Sequence, residues 1–490
     1  MLKQLPALTQ NNLQAKINSR KSQRQLLPFF WIIIIAYTAF VFSKVYFNKT
    51  ISLEDVFGSL AISAASLLSV YLWCAGKAFG MPIFPIFSVT YFWTSALPLL
   101  LESPGVFKYS NSERFFASMT VTGFLLLSTL IWYQFVKRFP QPKAYYRTIE
   151  IHKGENIFLG VLFISNLFTI FIPYISLYLD GGTFSIIRGA ILGLSAIATF
   201  AMSYRFGKGK LSQINKILYL VLLTANIISS AIGFLLIGSL SLFLIAIISY
   251  SIGKNKFPVI FAVIIFSLFA VLHTGKASMR QLYWHQTIAI QPWQYPAIFG
   301  EWFDFGLKGL FSQKEESGNS GQSIIERSSV IQQLLLTQSS TKLGQPLLYG
   351  STYSIIPQLL IPRIFNPNKI ISHEGTTILN VYYGRQTRED TLTTTIGWGL
   401  LAEAYANFGL LGCGLLACIC GAVYGYIGLI SINAPVFSDR YLLAILFFSY
   451  AFQTELTAGV YVAALFQSSV TLFIFLFFLT KVQKIEATEN

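Results

Sequence analysis

The chain has 490 residues, of which 54% are hydrophobic and only 11% charged, with a formal net charge of +15. That charged fraction is about half of what a soluble domain carries, which excludes an ordinary soluble enzyme. The basic excess does not point to nucleic acid, because Lys and Arg fall mainly in short segments between apolar runs, the positive-inside pattern of a membrane protein.

Residues 1–26 are polar and basic, with Lys3, Lys16, Arg20, Lys21 and Arg24, and are expected to be a cytoplasmic tail. The apolar run at about 27–47 is too long for a signal-peptide core and reads as an uncleaved anchor. Further spans are expected near 55–76, 82–101, 115–136, 156–179, 184–204, 214–232, 235–252 and 257–275. Three more follow near 400–428, 440–456 and 460–480, about twelve in all. Gly233 and Gly238 mark either a tight turn or a broken helix within 214–252. The expected organisation is a tail at 1–26, nine transmembrane helices over 27–275, an extracytoplasmic loop at 276–395, three helices over 396–481 and a tail at 482–490. Loops near Lys77, Lys137–Lys153, Arg205–Lys216, Lys254 and Arg440 are basic, whereas the short loops between them carry little charge. This asymmetry places both termini in the cytoplasm. Four cysteines without CxxC spacing support neither a disulfide framework nor a metal site.

The loop at 276–395 carries ten Lys and Arg residues. Its middle, 312–323, is low-complexity and reads as a surface turn. Segment 323–337 has Ile324, Ile325, Ile331, Leu334 and Leu335 at helical spacing and is expected on the membrane surface or at the bundle mouth. Ser351 or Thr352 is expected to cap a short interfacial helix that ends at Pro362.

Arg280, Arg363, Lys369, Arg385 and Arg388 in this loop, with Arg188 near the outer end of the sixth span, suit an anionic ligand, since guanidinium forks match phosphate oxygens. Arg188 either faces a cavity or snorkels to headgroups. His373 is either a general base or an ordinary loop histidine, with His273 and His285 as lesser candidates. On a helix, Glu403 and Asn407 share a face beside a small-residue stripe, Ala402, Ala406, Gly409, Cys413, Ala417 and Cys420. Glu403 is a base, the support of a base, or one half of a structural salt bridge.

Gly350 and Tyr353 form a Gly-x-x-Tyr, followed by Pro362-Arg363, Pro367 and Lys369. Then comes Glu-x-Tyr-x-Asn-Phe-Gly at Glu403, Tyr405, Asn407, Phe408 and Gly409. In these motifs, in span number and in its late outer loop, the chain resembles the bacterial O-antigen polymerase family, the Wzy-type oligosaccharide repeat-unit polymerases. The motifs cover about sixty residues; the rest of the likeness is topological. The GSLS at 238–241 lacks an arginine often found at the equivalent turn of that family. The resemblance implies an all-α polytopic fold related to polyprenyl-dependent glycosyltransferases of GT-C type. It implies metal-independent transfer of a glycan from undecaprenyl diphosphate to a second lipid-linked repeat unit, without cofactor or nucleic acid. A chain-length regulator and a flippase are the implied partners, and the cytoplasmic (inner) membrane is the implied location. Residue chemistry and resemblance together make Arg363, His373 and Glu403 the catalytic candidates. Arg188, Arg280, Tyr353, Lys369, Arg385 and Asn407 are the substrate-binding ones. An O-antigen ligase with the same donor is the nearest alternative, and a lipid-linked oligosaccharide flippase is the alternative without catalysis.

Overall fold

The computed structural model describes residues 7–47, 51–179, 181–234, 236–283, 290–311, 328–361, 366 and 369–484. Helices α1 (Ala7–Arg24), α2 (Leu27–Phe47), α3 (Leu53–Cys74), α4 (Ile83–Leu100) and α5 (Asn111–Val136) precede strand β1 (Tyr145–Thr148). Next come α6 (Ile151–Tyr178), α7 (Gly181–Gly207), α8 (Gln213–Ala231), α9 (Leu236–Lys254), α10 (Val259–Tyr283) and α11 (Tyr295–Phe311). The chain continues with α12 (Ile331–Lys342), α13 (Ile356–Leu360), α14 (Glu374–Tyr382) and α15 (Leu400–Ser431), then α16 (Asp439–Tyr450), α17 (Ala458–Leu479) and β2 (Lys481–Lys484). Among the described residues, 11 helices are long and apolar enough to cross a membrane. The protein is an all-α polytopic membrane protein, as a chain must be when lipid offers its backbone no hydrogen-bond partners.

The expected span at 440–456 is the one that differs. It is α16, only 12 residues long, or about 18 Å against a hydrocarbon core of about 30 Å. Gln453, Thr454 and Glu455 interrupt the apolar run and end the helix early. The chain still passes from one end of its bundle to the other. Thr148 of β1 bridges Ser438 at the start of α16, and beyond its end the Glu455 carbonyl accepts from Gly399 N–H at 2.9 Å.

The contacts divide the chain into two units, Met1–Thr148 with Ile325–Asn490, and Ile149–Ile324. In the first, α4, α5 and α15 enclose an aromatic core in which Phe84, Phe87, Tyr91, Phe124, Trp132 and Tyr424 lie ring to ring. The helices approach closely where side chains vanish: a Cβ on Gly421 would sit 2.7 Å from the Ser128 carbonyl. Basic connections gather at one end of this unit. There β1 pairs antiparallel with β2, Gln23 of α1 donates to the Ala78 carbonyl, and Asn433 donates to the Pro140 carbonyl. The opposite end gathers 101–113, 328–361, 369–399 and 451–457, and is called the motif end below.

In the second unit, α6 to α10 are the spanning helices. Arg205 pairs with Glu155 in a buried bridge that Asn215 completes. After α8 the chain turns at Phe234, which has φ 55° and a carbonyl bound by Arg280. Helix α10 continues to Tyr283, past the expected end at 275, and α11 packs on it within the expected loop. Trp302 of α11, fully buried, donates to the Leu272 carbonyl at 2.7 Å. An apolar cavity of about 1050 Å³ lies among Tyr219, Phe243, Phe269 and Phe299.

Of the two placements expected for the 323–337 helix, α12 takes the bundle mouth: Ile331, Gln333, Leu334, Leu335, Thr337 and Gln338 are buried, and Gln338 donates to Thr120 of α5. One loop expectation is corrected. Neither Ser351 nor Thr352 caps α13, whose N-cap is Ile355. Ile324, Ile325, Pro362, Pro367 and the 312–323 stretch lie outside the described residues.

Candidate functional site at the motif end

The site is built on a break in α15. At Phe408 and Gly409 the backbone leaves helical geometry, with φ/ψ of −138°/15° and 60°/−145°. A broken helix leaves orphan carbonyls. Here the segment before α13 satisfies them, Leu348 N–H donating to Ala406 O and Tyr349 N–H to Asn407 O at 2.9 and 3.0 Å. The Asn407 side chain locks the same junction. Its Oδ1 accepts from Gly350 N–H at 3.0 Å, and its Nδ2 donates to Thr352 Oγ1 and to the Glu403 carbonyl, both at 2.8 Å. Phe408 stacks on Tyr353 with ring centroids 6.0 Å apart and planes 6° apart. Gly350, Tyr353, Glu403, Asn407 and Phe408, taken from two distant motifs, thus form one assembly.

Glu403 is fully buried. Its Oε2 accepts from Ala458 N–H at 2.5 Å, so the carboxylate caps the N-terminus of α17, where unpaired N–H groups and the helix dipole favour negative charge. Thr352 lies beside the carboxylate, but Oε1 makes no hydrogen bond of ordinary geometry. Among the described residues no cation pairs with Glu403.

His373 precedes α14, and its carbonyl accepts from Thr377 N–H at 2.9 Å. Its side chain makes no hydrogen bond among the described residues. Partial enclosure of the ring lowers its pKa below the usual histidine value, although much of the residue is exposed. The shift favours the neutral imidazole. Among the described residues no hydrogen bond or ion pair joins it to Glu403. What links the two regions is a Thr376–Thr457 hydroxyl pair at 2.9 Å.

The basic candidates separate. Lys369 donates to the Leu359 carbonyl at the end of α13, a structural contact rather than a waiting anion site. Arg388 pairs with Glu374 at 2.8 Å. Arg385 follows the end of α14, with its backbone N–H on Asn380 O at 2.7 Å, and its buried Nε has no partner among the described residues. Arg280, held on the Phe234 carbonyl, and the exposed Arg188 belong to the second unit. His273 lies in α10 of that unit. Arg363 and His285 lie outside the described residues.

Sequence reasoning passed over three features. Thr352 was given a capping role and instead receives Asn407. Glu455 sits where the chain enters α17; its carboxyl has no partner among the described residues, and partial enclosure raises its pKa, although much of the residue is exposed. The Asp55–Arg114 bridge, bidentate at 2.7 Å and buried, gave one signal, an acid early in α3 and a base early in α5. Among the described residues no group of three or more His, Cys, Asp or Glu side chains comes together. No protein-family model, curated protein or solved structure matches this chain.

Proposed function

We propose that this protein is a polysaccharide polymerase of the cytoplasmic membrane, joining undecaprenyl-diphosphate-linked oligosaccharide repeat units of an O-antigen or exopolysaccharide. The motif end faces outward and both termini face the cytoplasm. The observation that carries this reading is the interlock of the Gly350–Tyr353 segment with the Glu403–Gly409 half-helix. Two of the stretches behind the resemblance meet at a single helix break.

In the reaction, a hydroxyl oxygen of the acceptor glycan attacks the anomeric carbon of the donor. The bond from that carbon to the diphosphate breaks, and undecaprenyl diphosphate leaves. His373, neutral and accessible, takes the hydroxyl proton. Cationic side chains stabilise the departing diphosphate, with Arg385 available for that work and Arg363 assigned to it by sequence. Glu403, buried beneath this surface, is a positioning residue that ties α15 to α17.

Deletion of the gene in its host tests the assignment. Single repeat units on the surface are expected. Long chains left on undecaprenyl diphosphate would instead identify a ligase, and an unchanged glycan would remove both.

A further inference from the structure

Among the described residues, most basic side chains at the motif end are engaged by the fold. Arg114 is held by Asp55, Arg388 by Glu374, Lys342 stands 3.9 Å from Glu113, and Lys369 is spent on a carbonyl. Lys108 and Arg385 have no ion pair or side-chain hydrogen bond among the described residues. The buried Nε of Arg385 is the more telling, since a buried donor without an acceptor is costly and calls for one.

Both residues flank the last turn of α12. On one side, Ser339 of α12 donates to Glu113 at 3.1 Å, just after the turn that carries Lys108. On the other, Gln345 donates to the Tyr382 carbonyl at 3.0 Å, just before Arg385. Neither is loosely held. Arg114 fixes the Lys108 turn by lying 4.2 Å over the Phe107 ring and donating to the Tyr109 carbonyl and to Asn111 Oδ1. Gly384, at φ 63°, turns the chain so that Arg385 N–H reaches Asn380 O. The two charges act on each other: the Lys108 pKa is lowered, first by loss of solvent and then by Arg385. Glu113, the acid that bears on neighbouring Tyr109, is already engaged by Ser110, Ser339 and Lys342.

We infer that Lys108 and Arg385 form one binding site for a phosphate-class anion, a forked donor and a point charge converging across the end of α12. Two neighbouring cations without an acid between them among the described residues repel, and an anion with several oxygens relieves both at once. Under the polymerase reading, on which this assignment of the ligand rests, that anion is the diphosphate of the lipid-linked donor.

The test is binding of farnesyl diphosphate to the purified full-length protein, with inorganic pyrophosphate and phosphatidylglycerol vesicles as competitors. Lys108→Ala and Arg385→Ala should each weaken binding by about tenfold or more, the loss expected of one charge-assisted contact. Lys108→Arg should retain most of it, and Lys308→Ala, in the other unit, all of it. Thermal unfolding of each variant separates lost binding from lost fold. Displacement by pyrophosphate supports a diphosphate site. Displacement by phosphatidylglycerol alone assigns the site to bilayer headgroups and overturns the substrate assignment. Wild-type affinity in folded Lys108→Ala overturns the site itself. If binding depends on Lys108 while gene deletion leaves the glycan unchanged, the site stands and the polymerase reading falls; the reverse pattern removes only the site.

Discussion

Asn407 shows how much one buried amide decides. Its three hydrogen bonds tie together Gly350, Thr352 and the Glu403 turn. Asn407→Leu keeps the volume and strands the Gly350 N–H, at a cost of about 1–3 kcal/mol. A lowered unfolding temperature with lost polymer is expected; an unchanged one would mean that the junction is held elsewhere. For the base, pH is the discriminating variable. A base works only when deprotonated, and enclosure lowers the His373 pKa. Turnover should therefore persist somewhat below the ordinary histidine value of about 6.5 and fall as pH drops through the residue's own pKa. His373→Ala should abolish turnover. If turnover and its acid limb survive in His373→Ala but vanish in Glu455→Gln, the base is Glu455. The shared face of Glu403 and Asn407 was legible from their spacing. Their partners were not, because spacing within one helix says nothing about which distant N–H, here Ala458, reaches a carboxylate.

At the scale of elements, α15 is two helices joined at Gly409. The sequence reads as one uninterrupted apolar helix with a stripe of small residues. Glycine alone does not announce a break, and the N–H groups that permit it come from Leu348 and Tyr349, over fifty residues away. A Cβ at Gly409 would meet only Leu347, at 3.8 Å, so its cost lies in φ +60° rather than in crowding. Gly409→Ala should lower stability by about 1–3 kcal/mol and reduce turnover, read from thermal unfolding and polymer yield. Wild-type values would show that the break is not required. The buried Asp55–Arg114 bridge anchors α3 to α5. Asp55→Asn leaves Arg114 charged in a dry site, at about 3–5 kcal/mol. If Asp55→Asn expresses and melts like wild type, the bridge does not hold the Lys108 turn. Hydropathy found the spanning helices because each carries its own apolar run. Helices α11 and α12 escaped it, being short or mixed in composition and buried by contacts with α10 and α5 that no local pattern encodes.

For the whole molecule, the pairing of β1 with β2 puts the 145–148 loop and the C-terminal strand at one end of the first unit, opposite the motif end. The alternation of basic loops made that grouping legible, while the strands themselves were too short to be read. Orientation is tested with an impermeant thiol reagent on intact cells. Leu343→Cys, at the motif end, should be labelled and Val482→Cys should not; the reverse pattern would turn the protein over and remove the proposed outer-face site. The account's central claim is that the motif end joins lipid-linked repeat units, and reconstitution measures it most directly. Purified protein in liposomes, given the host's own undecaprenyl-diphosphate-linked repeat unit, should produce a ladder of lengthening glycans on lipid with release of undecaprenyl diphosphate, and the His373→Ala protein should not. Repeat units left unjoined by folded wild-type protein would contradict the account.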